Sequence, residues 1–289
     1  MKSGDTKMGY QYDIPFHVDL TGRVALVTGG NGGIGGMFCR TLAACGASVV
    51  VLGRNLETCQ LVVDEIKAGG GDAWAISADV TVEEAMLRVK AAVQERYGKL
   101  NILINAAGGN VRTAIVPHDQ MSDGGDKTFF DVPASEMQKE LDLNLRGTWL
   151  PSKILTPLML GQDGATVLNI SSMSAFSPLT RIPGYSGAKA GVSNFTEWLA
   201  TYLAKSGVRV NAIAPGFFLT EQNRALQFNP DGTPSPRQQK IIAGTPMGRY
   251  GDLKELIGAM LFLVSEKASG FVTGVVLPVD GGFNVYSGV

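Results

Sequence analysis

Hydrophobic positions along the chain alternate between two rhythms. Short, nearly continuous apolar runs at 24–28, 48–52, 73–77, 102–105, 166–170, 208–213 and 275–279 are too brief for helices. They predict strands buried on both faces. Between them the apolar spacing takes a helical period near 34–45, 56–68, 82–97, 135–160, 185–206 and 253–264. This alternation predicts an α/β fold: one doubly wound parallel sheet with helices on both faces and right-handed crossovers. Pro151 and Pro157 interrupt the fourth helical pattern, which is expected to be bent or broken. Residues 1–20 read as a loosely held arm before a single domain over 21–289. Two long segments, 109–131 and 220–245, follow strand carboxyl ends, where ligands bind in such sheets.

Composition narrows the function classes. The 289 residues are 45% hydrophobic and 18% charged, as in an ordinary globular core. A net charge of −1 without a Lys/Arg cluster gives nucleic acid no electrostatic footprint. No uncharged apolar run is long enough for a membrane span, and residues 1–20 lack the apolar stretch of a secretion signal. Cys39, Cys45 and Cys59 are odd in number and lack metal-ligand spacing. They read as inert thiols of a cytoplasmic protein with no metal site.

Chemistry enters where the first strand runs into Thr28-Gly29-Gly30-Asn31-Gly32-Gly33-Ile34-Gly35-Gly36. Strand, glycine turn and helix start make a dinucleotide cradle of Rossmann type. Glycines let the backbone approach a pyrophosphate, and the helix N-terminus offers N–H donors and a positive dipole end. Two registers fit: Gly30, Gly32 and Gly35, or Gly29, Gly33 and Gly35 headed by Thr28. The second strand ends Gly53-Arg54-Asn55 without the acid that would hold a ribose 2′-hydroxyl. Arg54 suits a 2′-phosphate, which favours NADP(H) over NAD(H); a solvated surface arginine is the alternative. Asp79, followed by Val80, is placed either to meet the adenine or to cap a helix near Thr81.

Tyr185 and Lys189 are four residues apart, hence one turn apart on one helix face. A phenol titrates near about 10; a neighbouring ammonium and an oxidised nicotinamide are expected to lower that value. Ser172 ends the fifth strand, where a hydroxyl can hold a substrate carbonyl, and Ser174 follows it. His17 and His118 are isolated and read as solvated surface groups.

Together these residues resemble the short-chain dehydrogenase/reductase family over about residues 20–284. The resemblance rests on the glycine turn, Asn105-Ala106-Ala107-Gly108, Asn144, Ser172, Tyr185 with Lys189, Pro215-Gly216 with Thr220, and Asp280-Gly281-Gly282. It implies a nicotinamide cofactor and the interconversion of a ketone and a secondary alcohol. Tyr185 would be the acid/base. Lys189 would bind the nicotinamide ribose and hold the Tyr185 pKa down. Ser172 would orient the carbonyl, and Asn144 would keep a water in a proton relay. Gly29, Asn31, Gly33, Ile34, Gly35, Asn105, Ala106, Gly108, Pro215, Gly216 and Thr220 would line the cofactor. The family has a second Asn where Ala106 stands, which leaves the role of Asn105 open. A homotetramer is implied as well.

The segments 177–185 and 214–224, with the ending 279–289, resemble the D-mannonate oxidoreductases (fructuronate reductases) of this family. That subgroup implies a keto or hydroxy sugar acid as substrate. A polyhydroxylated carboxylate needs a cation and several hydrogen-bonding partners, and Asn110, Arg181, Gln222, Asn223 and Arg224 are available in the right loops. Arg181 could instead form an ordinary salt bridge, Arg224 could be a surface residue, and Arg249 reads as a loop brace. A 3-oxoacyl thioester reductase or a gluconate 5-dehydrogenase-like enzyme is the alternative within the family. A non-catalytic cofactor sensor is disfavoured, because Tyr185 and Lys189 are both present.

Overall fold

The computed structural model describes residues 17–121, 127–219, 227–229 and 231–288. Seven strands form one parallel sheet in the order β3-β2-β1-β4-β5-β6-β7. They are β1 (Val24–Thr28), β2 (Ser48–Gly53), β3 (Asp72–Ser77), β4 (Ile102–Asn105), β5 (Thr166–Ile170), β6 (Arg209–Pro215) and β7 (Val276–Val279). Because side chains alternate along a strand, each strand feeds two cores. Val27, Val49, Val51, Ile104 and Ile170 face one way, against α1 (Gly33–Ala44), α2 (Leu56–Ala68) and α8 (Glu255–Val264). Leu26, Val50, Leu52, Leu103 and Val167 face the other, against α3 (Glu83–Tyr97), α5 (Gly147–Leu155) and α6 (Pro183–Leu203). Burial on both faces explains why the strands read as unbroken apolar runs.

The strand order reverses direction between β1 and β4, which opens a crevice at their carboxyl ends. The element predicted over 135–160 is indeed broken. It consists of α4 (Ala134–Leu141), a π-helical segment (Asp142–Arg146), α5 and a 3₁₀ turn at Thr156–Leu158. The break falls ahead of Pro151, at Asn144, and Pro151 is accommodated inside α5. Residues 1–16 of the predicted arm lie outside the described residues. From Val18 onward the chain packs on the core, with Leu20 buried. Between β6 and α8 stands α7 (Pro236–Ala243), and α9 (Glu266–Ser269) precedes β7. Among the described residues no helix is long and apolar enough to cross a membrane. The three thiols are free, and burial pushes the pKa of each up.

Candidate active site

The glycine turn lies at the crevice. Gly29 has φ +63°, and a Cβ there would come within 2.9 Å of Ala107 on the next strand's loop. Only glycine fits this crossing. Thr28 is buried, and its hydroxyl accepts the N–H groups of Ala106 and Ala107, both at 3.1 Å. No side chain caps α1 at Gly32, so the first-turn N–H groups are left for an anionic ligand. A pyrophosphate fits this cradle. Asn31 in the turn is exposed and donates to Thr58 Oγ1 at 2.7 Å. Gly33 is exposed, while Ile34 packs on the core and Gly35 is buried. Arg54 is exposed at the end of β2, free to meet a 2′-phosphate. Asp79 uses one carboxylate oxygen for the Thr81 N–H and hydroxyl at 2.8 and 2.7 Å, which closes a turn ahead of α3; the N-cap of that helix is Val82, without a side-chain cap. Val80 is buried beneath it.

Asn105, whose role the sequence left open, closes the end of β4. Its side chain turns into the core, donating to Ser152 Oγ at 2.9 Å and Asn169 Oδ1 at 2.8 Å. It braces β4 against β5 and α5. Across the crevice, a Cβ on Gly216 would strike Asp280 Cα at 2.6 Å, so this glycine allows the loops after β6 and β7 to close together. Pro215 ends β6 beside it.

The four residues expected to do chemistry converge at the carboxyl ends of β4 and β5. Ser172 follows β5, and its Oγ accepts the Ser174 N–H at 3.2 Å and the Ser174 hydroxyl at 3.0 Å. Ser174 is therefore a buried prop for Ser172. Tyr185 lies in the first turn of α6, two residues after Pro183 starts the helix. Ser172 acts on its hydroxyl in the direction that lowers the phenol's pKa. Lys189, one turn on and 3% exposed, donates to Ile170 O at 2.7 Å with Nζ 5.6 Å from the Tyr185 ring centre. A Cβ on Gly108 would lie 2.8 Å from Asn144 Oδ1 and 3.2 Å from Lys189 Nζ, so glycine there lets both groups reach one point. Asn144 is held by the backbone of the insertion: its Oδ1 accepts the Gly109 N–H at 3.0 Å, and its Nδ2 donates to Gly109 O at 2.9 Å.

Two electrostatic findings depart from expectation. Burial raises the Tyr185 phenol above its ordinary value, and the Lys189 ammonium does not offset this. The ammonium is directed at the Ile170 carbonyl, and burial pushes its own pKa down to about 8. In addition, Glu140, which was not among the predicted site residues, is 2% exposed and acts electrostatically on both Tyr185 and Lys189. Its position four residues before Asn144 was the available signal, masked by the polar run around it.

The substrate loops are less enclosed. Asn110 is exposed. Arg181 is partly buried; its Nε donates to Val116 O at 3.0 Å, while the Val116 N–H donates to Arg181 O at 2.8 Å. Part of the guanidinium is thus structural, and its charge also acts on Asp119. Asp119 accepts from Thr180 and Lys240, which joins the insertion to α7. A cavity of about 300 Å³ opens between the insertion and α6, lined by His118, Asp119, Gln120, Phe129, Phe130 and Thr180 among others; Arg181 is not in its wall. Arg249 braces its loop through two 2.7 Å bonds to Glu255, as anticipated. Thr220, Gln222, Asn223 and Arg224 lie outside the described residues.

The short chain dehydrogenase family profile matches residues 23–230. The chain is 46% identical over 277 residues to the uncharacterized oxidoreductase UxuB of Bacillus subtilis (strain 168), covering 96% of this chain and 100% of that one. It matches, with a TM-score of 0.92 and 44% identity, the crystal structure of a Haemophilus influenza protein provisionally designated a D-mannonate oxidoreductase, with bound NAD; the match covers 96% of this chain and 100% of the other. A gluconate 5-dehydrogenase from Burkholderia cenocepacia J2315, in complex with NADP and tartrate, gives a TM-score of 0.81 at 29% identity, covering 94% and 99%.

Proposed function

The chain belongs to the short-chain dehydrogenase family, and on that premise we propose that it interconverts a keto and a hydroxy sugar acid, D-fructuronate and D-mannonate, with NADP(H) preferred over NAD(H). As a family member it is an oxidoreductase that uses a nicotinamide cofactor. The cofactor, held at the glycine cradle, supplies or takes up the hydride. Ser172 fixes the substrate oxygen, and Tyr185 gives it a proton in reduction or removes one in oxidation. Lys189 holds the nicotinamide ribose, and Asn144 holds the relay that returns the proton. These groups align the reactants and exclude water.

The observation that carries the substrate reading is the set of polar and cationic groups on the loops that flank the start of α6. Arg181 leaves its Nη nitrogens without a protein hydrogen bond among the described residues, and the adjacent Thr180 belongs to a polar cluster with Asp119 and Lys240. Resemblance to the Haemophilus influenza protein supports the same substrate class. The test is a panel of keto sugar acids with NADPH and NADH, followed by loss of the reduced-nicotinamide absorbance. D-Fructuronate turnover with NADPH ahead of NADH is expected. Reduction of a 3-oxoacyl thioester with all keto acids inert would overturn the reading.

The same proposal includes a homotetramer. Trp198 and Tyr202 stack at 5.2 Å on α6 and are 57% and 69% exposed. Such a ridge is costly to leave in water and suits burial against a second copy. Light scattering at micromolar concentration should give the mass of four chains; a monomer would refute it.

A further inference from the structure

We propose that Glu140 is a positioning residue of this reaction: a buried carboxylate that ties the insertion after β4 to the start of α6 and so sets the charged surroundings of Tyr185 and Lys189. The inference rests on Tyr185 as the acid/base, but not on the identity of the substrate.

The geometry carries it. Glu140 and Asn144 are one turn apart on adjoining helical segments, and both grip the same stretch of backbone. Glu140 Oε2 accepts the Val111 N–H at 2.6 Å, while the Asn144 amide brackets Gly109. The Asn144 amide also donates to Glu140 O at 3.0 Å. On the other side, a Cβ on Gly184 would lie 3.2 Å from Glu140 Cγ. Glycine there lets the first turn of α6 settle on the glutamate stem, one residue before Tyr185. A carboxylate left 2% exposed is costly unless something requires its charge or its bonds.

The elements packed on α4 are α6, the π-helical segment and the turn at Arg112–Ala114. Arg112, Asp142 and Arg146 are the charged residues of the latter two; on its own helix Glu136 and Lys139 pair with each other. The charged group acting on Glu140 is Lys189, which opposes the upward push of burial on its carboxyl. In return, Glu140 strengthens the hold of both Lys189 and Tyr185 on their protons. Ammonium and phenol are the states needed to protonate a carbonyl oxygen. Removing the charge lets both groups release protons at lower pH, which favours the phenolate required for alcohol oxidation.

The experiment compares wild type with E140Q, which keeps the volume and an acceptor for Val111. Tyrosinate absorbance is titrated in the protein alone, with the Tyr185 contribution obtained by subtracting the same titration in the matching Y185F backgrounds. Tyr185 is expected to titrate about one unit or more lower in E140Q. The basic limb of the reduction profile should move down with it, and E140D should restore both in part. An unchanged Tyr185 titration, whatever happens to turnover, would overturn the proposal and leave Glu140 as scaffold. Should E140Q not fold, as judged by thermal melting, E140N carries the same titration, since a shorter amide removes the charge and still offers a polar acceptor toward the Val111 N–H. Full activity of Y185F would instead refute the acid/base assignment, a separate outcome.

Discussion

Asn144 and Lys189 are 0% and 3% exposed, and each is hydrogen-bonded to main-chain atoms of another element. Lys240 and Asp119, which join the two loops above them, have side chains 74% and 41% exposed and meet only at the surface. The first pair is fixed by the packing of β4, β5 and α6; the second is fixed by an ion pair that water and salt can loosen. The contrast assigns a division of labour. The proposed hydride and proton chemistry needs reacting atoms held within fractions of an ångström, and the residues proposed for it sit along the carboxyl-terminal edge of the sheet, where β4 and β5 end. Choice of substrate tolerates adjustment and resides in connecting segments.

If that division holds, variants at the edge cost far more than variants in the loops. Tyr185→Phe should lower turnover by roughly 10²–10⁴-fold with cofactor affinity nearly intact. Turnover near wild type at several pH values would break the comparison at its strongest point. If Arg54 holds the 2′-phosphate as proposed, Arg54→Ala removes a charge-assisted contact worth about 1.5–3 kcal/mol, so NADPH should bind roughly 10–150-fold more weakly and NADH almost unchanged. Equal losses in direct titrations would mean that Arg54 does not read a phosphate.

The pH dependence sharpens the contrast further. Burial holds the Lys189 pKa at about 8, so its ammonium is present below that value and lost above it. Reduction should therefore decline as pH rises through about 8, in a kcat/KM profile taken at saturating cofactor. A flat profile to well above that pH would remove the ammonium from the account. The smallest effect belongs to the exposed latch. Lys240→Ala should change the KM for a keto acid by less than about fivefold, and only at low salt. A hundredfold loss would show that the loops are as rigidly coupled to the chemistry as the edge.

Much of this was legible in the sequence, for identifiable reasons. The boundaries of β1, β4 and β5 coincide with the apolar runs at 24–28, 102–105 and 166–170, because strands buried on both faces carry no charged position and few polar ones to blur them. Tyr185, Lys189 and Ser172 were legible because local spacing and a strand end place them. What escaped depends on distant partners. The helix breaks first at Asn144, where its amide is bound to Gly109, 35 residues earlier; of the two prolines only Pro157 falls at a break, in the 3₁₀ turn at Thr156–Leu158. Arg181 looks like a free cation until Val116, 65 residues away, takes its Nε–H. Asn105 faces the core because Ser152 and Asn169 offer it bonds there. Glu140 sits in Glu136-Met137-Gln138-Lys139-Glu140, which reads as a solvated helix face. The raised Tyr185 phenol follows from a burial that no pattern displays.

The measurement that tests the division of labour most directly is Arg181→Leu assayed on two substrates, a keto sugar acid and a neutral ketone of similar shape. A charge-assisted bond to the carboxylate is worth about 1.5–3 kcal/mol, so kcat/KM for the acid should fall roughly 10–150-fold. The neutral ketone should lose much less, because the edge that carries Tyr185 is undisturbed. An equal loss on both substrates would contradict the account, since it would mean that Arg181 acts through its bond to Val116 and that loop and chemistry are one unit.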